Sequence, residues 1–173
     1  MTGTEVSAII PVYNDREALA KAIPLSISTL EAVTTDFELI IAEDGSRDGS
    51  AELVQSWTEK DPRVHLLHSD ERLGRGRALN RAFSAAEGRI VCYYDVDLAT
   101  DMKHLKTLIG AIRNGYDIAT GSRLLPDSRI QRSGGREIAS RGYNLLVRTM
   151  LGSRLHEHQC GFKAFSRDRV LAV

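Results

Sequence analysis

The sequence predicts an α/β fold: a mostly parallel, Rossmann-like sheet with helices on both faces. Two observations predict it. Short apolar runs alternate with longer amphipathic segments along nearly the whole chain, the pattern of parallel strands joined by crossover helices. The apolar runs also end in polar or acidic loops, most clearly at Ile90-Val91-Cys92-Tyr93-Tyr94-Asp95-Val96-Asp97. In open α/β sheets, ligands bind outside the carboxyl ends of the strands. At 173 residues the chain fits one domain, 1–173, long enough to bury a real core.

Each element follows from its local chemistry. Val6 to Val12 is apolar and β-branched, a buried first strand. Asn14 or Asp15 is placed to cap the helix that follows. Pro24 interrupts that helix, either kinking it or opening a second one. Phe37 to Ala42 is the second strand, running into the loop Glu43-Asp44-Gly45-Ser46-Arg47-Asp48-Gly49-Ser50. A helix from Ala51 to Glu59 stops before Asp61-Pro62. Val64 to His68 is the third strand, Ser69 to Gly76 a loop, and Arg77 to Ala86 a helix closed by Gly88. The strand ending in Asp95 is fourth. Met102 to Arg113 reads as a helix with Leu105, Leu108, Ile109 and Ile112 on one face and Asn114-Gly115 as its stop. Tyr116 to Thr120 is a short fifth strand that delivers Gly121-Ser122-Arg123. Residues 124 to 135 are loop-like, Arg136 to Leu151 helical with Gly152 as its cap, and Gly161 to Phe165 a last strand. Ser166 to Val170 reads as a helix just starting, so the chain is expected to be truncated, its parent continuing past Val173.

Composition narrows the function. Lys plus Arg equals Asp plus Glu, at 23 each, so no global charge pulls toward nucleic acid, and no nucleic-acid partner is expected. Cys92 and Cys160 make neither a disulfide framework nor a zinc spacing; Cys92 reads as a buried thiol, and a reducing compartment follows. The N-terminus lacks the regions of a signal peptide, and no stretch approaches the ~20 apolar residues of a membrane span.

Chemistry gathers at one predicted edge of the sheet. Asp95 and Asp97 are hard oxygen ligands at i and i+2, suited to Mg²⁺ or Mn²⁺ beside a phosphate; the alternative is a turn with two solvated acids. Asp44 follows the second strand, where its carboxylate can accept from a ribose or base. Arg123 follows the fifth strand with a planar fork suited to phosphate. From Arg123 to Arg154 there are seven arginines, opposed only by acids at 127, 137. Arg136 opens a helix, where free N–H groups favour anions, and Ser140 lies four residues on, on the same face. This is either a second phosphate cradle or a solvated basic face. Gly74-Arg75-Gly76-Arg77 half-matches a dinucleotide fingerprint but lacks the third glycine, and reads as a tight turn opening a helix near the phosphates. His156 and His158 lack further ligands of zinc spacing, and nothing marks His65 or His68 as catalytic.

Several motifs occur in order: Ile9-Ile10-Pro11-Val12-Tyr13-Asn14, Glu43-Asp44-Gly45-Ser46, Gly74-Arg75-Gly76, Asp95-Val96-Asp97, Gly121-Ser122-Arg123 and Gln159-Cys160-Gly161-Phe162-Lys163. With them the chain resembles family-2 glycosyltransferases of the GT-A fold, and more narrowly the dolichyl-phosphate mannose and glucose synthases. The resemblance implies an inverting transferase moving a hexose from UDP-glucose or GDP-mannose to a polyprenyl or dolichyl phosphate. It implies Pro11, Tyr13, Asn14, Glu17, Asp44 and Val96 along the nucleotide sugar, and Asp95 and Asp97 on the metal and donor diphosphate. Arg123, Arg136 and Ser140 would hold the acceptor phosphate, and Arg123 would also be catalytic with Asp95 and Asp97, neutralising charge on the leaving diphosphate. It also implies a cytoplasmic membrane face as the working place, reached through the membrane surface or a missing C-terminal membrane segment. Two positions depart from the relatives: Ala99 stands where those with a mannose donor often carry a metal-binding Gln, and His158 where many carry Asp. The other readings are a family-2 transferase extending a glycan, and a non-catalytic sugar-nucleotide-binding domain of a membrane assembly.

Overall fold

The computed structural model describes residues 3–121 and 160–171. Val6–Val12 forms β1, with every residue but Pro11 buried. It pairs in parallel with β2 (Phe37–Glu43) on one side and β4 (Ile90–Tyr94) on the other. Strand β3 (Val64–Leu67) extends the sheet beyond β2, also parallel. The order is β3-β2-β1-β4-β6-β5, with β5 at Ile118–Thr120 and β6 at Phe162–Ser166.

The chain therefore moves outward from β1 to β3, then crosses back to lay β4 on the other side of β1. The order reverses between β1 and β4, and a ligand crevice is expected outside the carboxyl ends of strands flanking such a point. The last strand holds a feature outside the sequence expectation. β6 runs antiparallel to both β4 and β5 and sits between them. Its first residues thus come up to the same edge at which β4 ends.

Alternation along the strands sends side chains to both faces. Val6, Ala8, Ile10, Leu39, Ile41, Cys92 and Tyr94 share one core with α1 (Arg16–Glu31), α2 (Ser50–Thr58) and α4 (Leu105–Arg113), through Leu19, Ile23, Val54 and Ile109. Ile9, Ile40, Ala42 and Val91 face the other way and meet Ala78, Ala82 and Ala86 from α3 (Arg75–Ala85) and its end. Each fully buried Leu or Ile contributes roughly 1.5–3 kcal/mol. Trp57 packs against the larger core as a partly buried cap. Cys92 is fully buried, and desolvation pushes its thiol up to about 12, in keeping with a packing role.

Several boundaries differ from the sequence reading. Pro24 lies inside one continuous 16-residue helix. Proline in a helix interior costs ~3 kcal/mol or more, but Ala22, Ile23, Ser26 and Leu30 are all buried there. Packing on both sides of the proline holds the helix together. Asp15, not Asn14, caps α1, accepting from the Ala18 amide at 3.3 Å. Helix α3 starts at Arg75, two residues early, with Gly74 before it at φ 91°. Met102–His104 forms a 3-10 turn ahead of α4. A short helix, α5 (Arg167–Val170), follows β6. The expected loop at 124 to 135 and helix Arg136 to Leu151 lie outside the described residues.

Candidate functional site

At the end of β1 the chain turns through Tyr13 and Asn14. Tyr13 is an exposed aromatic, and the Arg72 guanidinium lies 4.0 Å from its ring centroid, a cation–π stack. Asn14 adopts φ 50°, a left-handed conformation that asparagine tolerates better than most residues. Its amide donates to Ser46 Oγ at 2.9 Å, and its Oδ1 accepts from the Arg47 amide at 2.8 Å. The first two edge loops are thereby sewn together. Asp48 completes the seam. One oxygen accepts from the first amide of α1, Arg16, at 2.8 Å; the other accepts from the Ser50 amide and hydroxyl at 3.1 and 2.6 Å. Partial burial opposes ionisation of Asp48, but the hydrogen bonds from Ser50 and Arg16 outweigh it and hold the carboxyl below its usual range.

The end of β2 carries two buried acids. Glu43 is fully buried; one oxygen accepts from the Ser46 amide and the other pairs with His68 Nδ1. Asp44 is 4% exposed, and its two oxygens accept from the Leu73 and Gly74 amides at 2.9 Å each. Each oxygen thus accepts one backbone hydrogen bond and keeps a further acceptor site. Asp44 fixes the loop after β3 at the mouth of the crevice. Gly45 permits the approach: at φ 77°, an added Cβ would lie 2.7 Å from the Arg72 amide nitrogen.

Strand β4 delivers the acidic pair. Asp95 follows Tyr94 directly, and its carbonyl accepts from the Leu98 amide at 3.0 Å, closing a tight turn with Leu98 at φ 47°. Val96 packs against the larger core and roots the turn. Asp97 Oδ1 accepts from the Ala99 amide at 3.0 Å. Asp95 pairs with Arg75 Nη2, the first side chain of α3. A small pocket opens between Tyr94, Asp95, Asp97, Leu98, Ala99, Thr100 and Gly161. Gly161 borders Asp95 so closely that a Cβ there would lie 2.0 Å from Oδ2.

The donor set suits a hard divalent cation. Asp95 and Asp97 present carboxylate oxygens on one short turn, and a cationic guanidinium already rests on Asp95. Among the described residues no group of three His, Cys, Asp or Glu side chains gathers for a metal, and Ala99 offers no ligand. Mg²⁺ and Mn²⁺ are commonly held by one or two carboxylates, with substrate phosphates and water completing the shell. The pair fits that pattern.

The sequence candidates divide as follows. Pro11, Tyr13, Asn14, Asp44, Asp95, Val96 and Asp97 all stand at or next to the carboxyl edge. Glu17 stands apart: it lies on α1, with its side chain 89% exposed and paired with Lys21 at 3.2 Å. Arg123, Arg136 and Ser140 lie outside the described residues. Gly121 donates to the Phe162 carbonyl at 2.8 Å, so β5 ends on the same edge. Glu43 and Asp48 were expected only as part of an edge loop and Arg75 only in a turn near the phosphates; His68, Arg72 and Gly161 had no individual role in the sequence expectation. Glu43 had a signal, an acid directly on the end of an apolar strand. The others meet the site only through tertiary contacts.

Comparison with known proteins agrees with this architecture. The profile of glycosyl transferase family 2 matches residues 7–171. The glycosyltransferase AglD of Haloferax volcanii is 48% identical over 174 residues, covering 99% of this chain and 28% of that protein. A dolichyl-phosphate beta-glucosyltransferase of Dictyostelium discoideum is 32% identical over 182 residues, covering 97% of this chain and 56% of that one. The chain thus spans between about a quarter and somewhat over half of these relatives. A mannosyltransferase from Pyrobaculum calidifontis, solved with GDP-Man and Mn²⁺, superposes with a TM-score of 0.68 at 22% identity, covering 97% of this chain and 46% of that one. That likeness establishes the GT-A fold.

Proposed function

The chain belongs to glycosyl transferase family 2, and from that premise we propose that it moves a hexose from a nucleoside-diphosphate sugar to a polyprenyl phosphate. The observation that carries this reading is the Asp95–Asp97 turn on the strand flanking the sheet's switch point; Tyr13, stacked with Arg72 just past the end of the neighbouring β1, supports it. An exposed aromatic ring can pack on a base, and a carboxylate pair can hold a cation on a diphosphate. The named activities of the relatives support the acceptor class, since both a dolichyl-phosphate glucosyltransferase and undecaprenyl-phosphate sugar transferases are among them.

In this reading Pro11, Tyr13, Asn14 and Asp44, with the loop that Asp44 holds, receive the nucleoside. UDP-glucose and GDP-mannose are the candidate donors. Glu17 would join them only through a change of rotamer that breaks its pair with Lys21. Asp95 and Asp97 would hold Mg²⁺ or Mn²⁺ for the diphosphate, with Val96 fixing the turn between them. When bound, the metal supplies electrostatic stabilisation of the charge that grows on the leaving diphosphate. Arg123, Arg136 and Ser140 receive the lipid phosphate. That phosphate is largely ionised near pH 7, its second pKa being about 6, so a phosphate oxygen attacks without a strong general base. Attack opposite the leaving group inverts the anomeric centre. The lipid acceptor places the work at a membrane surface, and its cytoplasmic face is where nucleotide sugars are met. No helix among the described residues is long and apolar enough to cross a membrane.

The test is transfer of labelled hexose from UDP-glucose, and separately from GDP-mannose, to dolichyl phosphate in detergent with Mn²⁺. Lipid-linked product from one donor, abolished in Asp97→Ala, supports the reading. Turnover that Asp97→Ala leaves intact overturns it.

A further inference from the structure

We propose that Arg75 is an exchanging counter-cation: it holds Asp95 before the divalent ion arrives, and then turns to the donor's diphosphate. This rests on the reading of Asp95 and Asp97 as the metal carboxylates. The geometry has three parts. Arg75 Nη2 is paired with Asp95 Oδ1 while both side chains stay partly open to solvent, at 53% and 34%. The guanidinium lies 5.8 Å from the Tyr93 ring centroid, on the strand that ends at Asp95. The backbone that carries Arg75 is fixed, because the amide of Gly74 is bound by Asp44. A long side chain on an anchored base can change partners without moving the fold.

Charge dictates the exchange. Asp95 and Asp97 together carry two negative charges, which one divalent ion cancels. Arg75 and the metal then repel each other across Asp95. Arg75 lies at the amino end of α3, where the first turn holds Arg75 and Arg77 and no acid. Positive side chains are disfavoured there, so Arg75 needs an anion in both states. Asp95 serves before the metal binds, and the diphosphate of the donor serves afterwards. The exchange makes the metal and the nucleotide mutually supportive: each raises the affinity of the site for the other.

The experiment is a Mn²⁺ titration of the protein, wild type, Arg75→Ala, Arg75→Lys and Asp97→Ala, alone and with saturating UDP or GDP, read by the free-Mn²⁺ electron paramagnetic resonance signal. Arg75→Ala is expected to bind Mn²⁺ alone about 2- to 5-fold more tightly, the yield of releasing one exposed ion pair. With nucleotide present it is expected to bind Mn²⁺ about 10-fold more weakly than wild type, having lost a charge-assisted hydrogen bond. Arg75→Lys should recover most of both effects. A merely structural role would not move the two affinities in opposite directions. If Arg75→Ala matches wild type in both titrations while Asp97→Ala loses Mn²⁺, the exchange is refuted and the metal site stands. If Asp97→Ala binds Mn²⁺ as wild type does, the reading of the site itself fails.

Discussion

Gly161→Ala tests how closely β6 shapes the acidic turn. The backbone of Gly161 lies outside the left-handed region, so conformational strain is not at issue; space is. A Cβ at this position would lie 2.0 Å from Asp95 Oδ2, 2.6 Å from its Cγ and 2.9 Å from Oδ1. Contacts below 3.0 Å are not found for real Cβ atoms, so the carboxylate must retreat by about 1 Å. On the proposed reading, that retreat would carry the carboxylate away from the cation that Asp95 and Asp97 would hold together. A misplacement of about 1 Å at a reacting centre can lower turnover by ~100-fold, and that is the loss expected in transfer. The stability cost is separate: overpacking a buried site costs about 1–3 kcal/mol, visible as a lower melting temperature by circular dichroism. The assay is transfer rate and Mn²⁺ dependence at a temperature where the variant is folded. A folded Gly161→Ala with wild-type rate and wild-type Mn²⁺ dependence would refute the argument that β6 positions Asp95.

Two further predictions concern the scaffold. Asp48→Ala removes the acceptor for Arg16 and Ser50 at the starts of two helices; a lost helix cap typically costs ~1 kcal/mol, measurable by urea denaturation, and an unchanged midpoint would count against the cap. Acid should weaken the fold through Glu5 and Asp61, whose carboxyls are held below their ordinary 4.5 and 3.8 by hydrogen bonds from Arg113 and Arg63 respectively. Because the folded values are lowered, this stability is complete above the ordinary values and is lost as the pH falls through the lowered ones. Melting temperatures followed from pH 6 downward should show a shallower acid loss in Glu5→Gln than in wild type; an identical slope would remove Glu5 from the account.

The strands were legible because their chemistry is local. Val6–Val12 and Phe37–Glu43 are apolar runs with turn residues after them, and the acidic pair follows a buried strand directly. What escaped was decided by tertiary contact. Pro24 argued for a break, and burial on either side of it overrode the local cost. The antiparallel insertion of β6 depends on where a distant segment returns to the sheet, which no window of sequence reports. Asp44 was assigned to the edge correctly, but its partners Leu73 and Gly74 come from a loop some thirty residues away. Arg75 and Gly161 each lie in a motif, Gly74-Arg75-Gly76 and Gln159-Cys160-Gly161-Phe162-Lys163, but their closeness to Asp95 is set by tertiary structure that no motif reports.

In the proposed function Asp95 and Asp97 bind a nucleoside diphosphate through a divalent metal. Calorimetric titration of UDP and of GDP, each with and without Mn²⁺, tests it most directly, and identifies the base as well. The expected result is heat of binding for one nucleotide that requires Mn²⁺ and vanishes in Asp97→Ala. Binding of equal strength with and without Mn²⁺, or retained in Asp97→Ala, would contradict it.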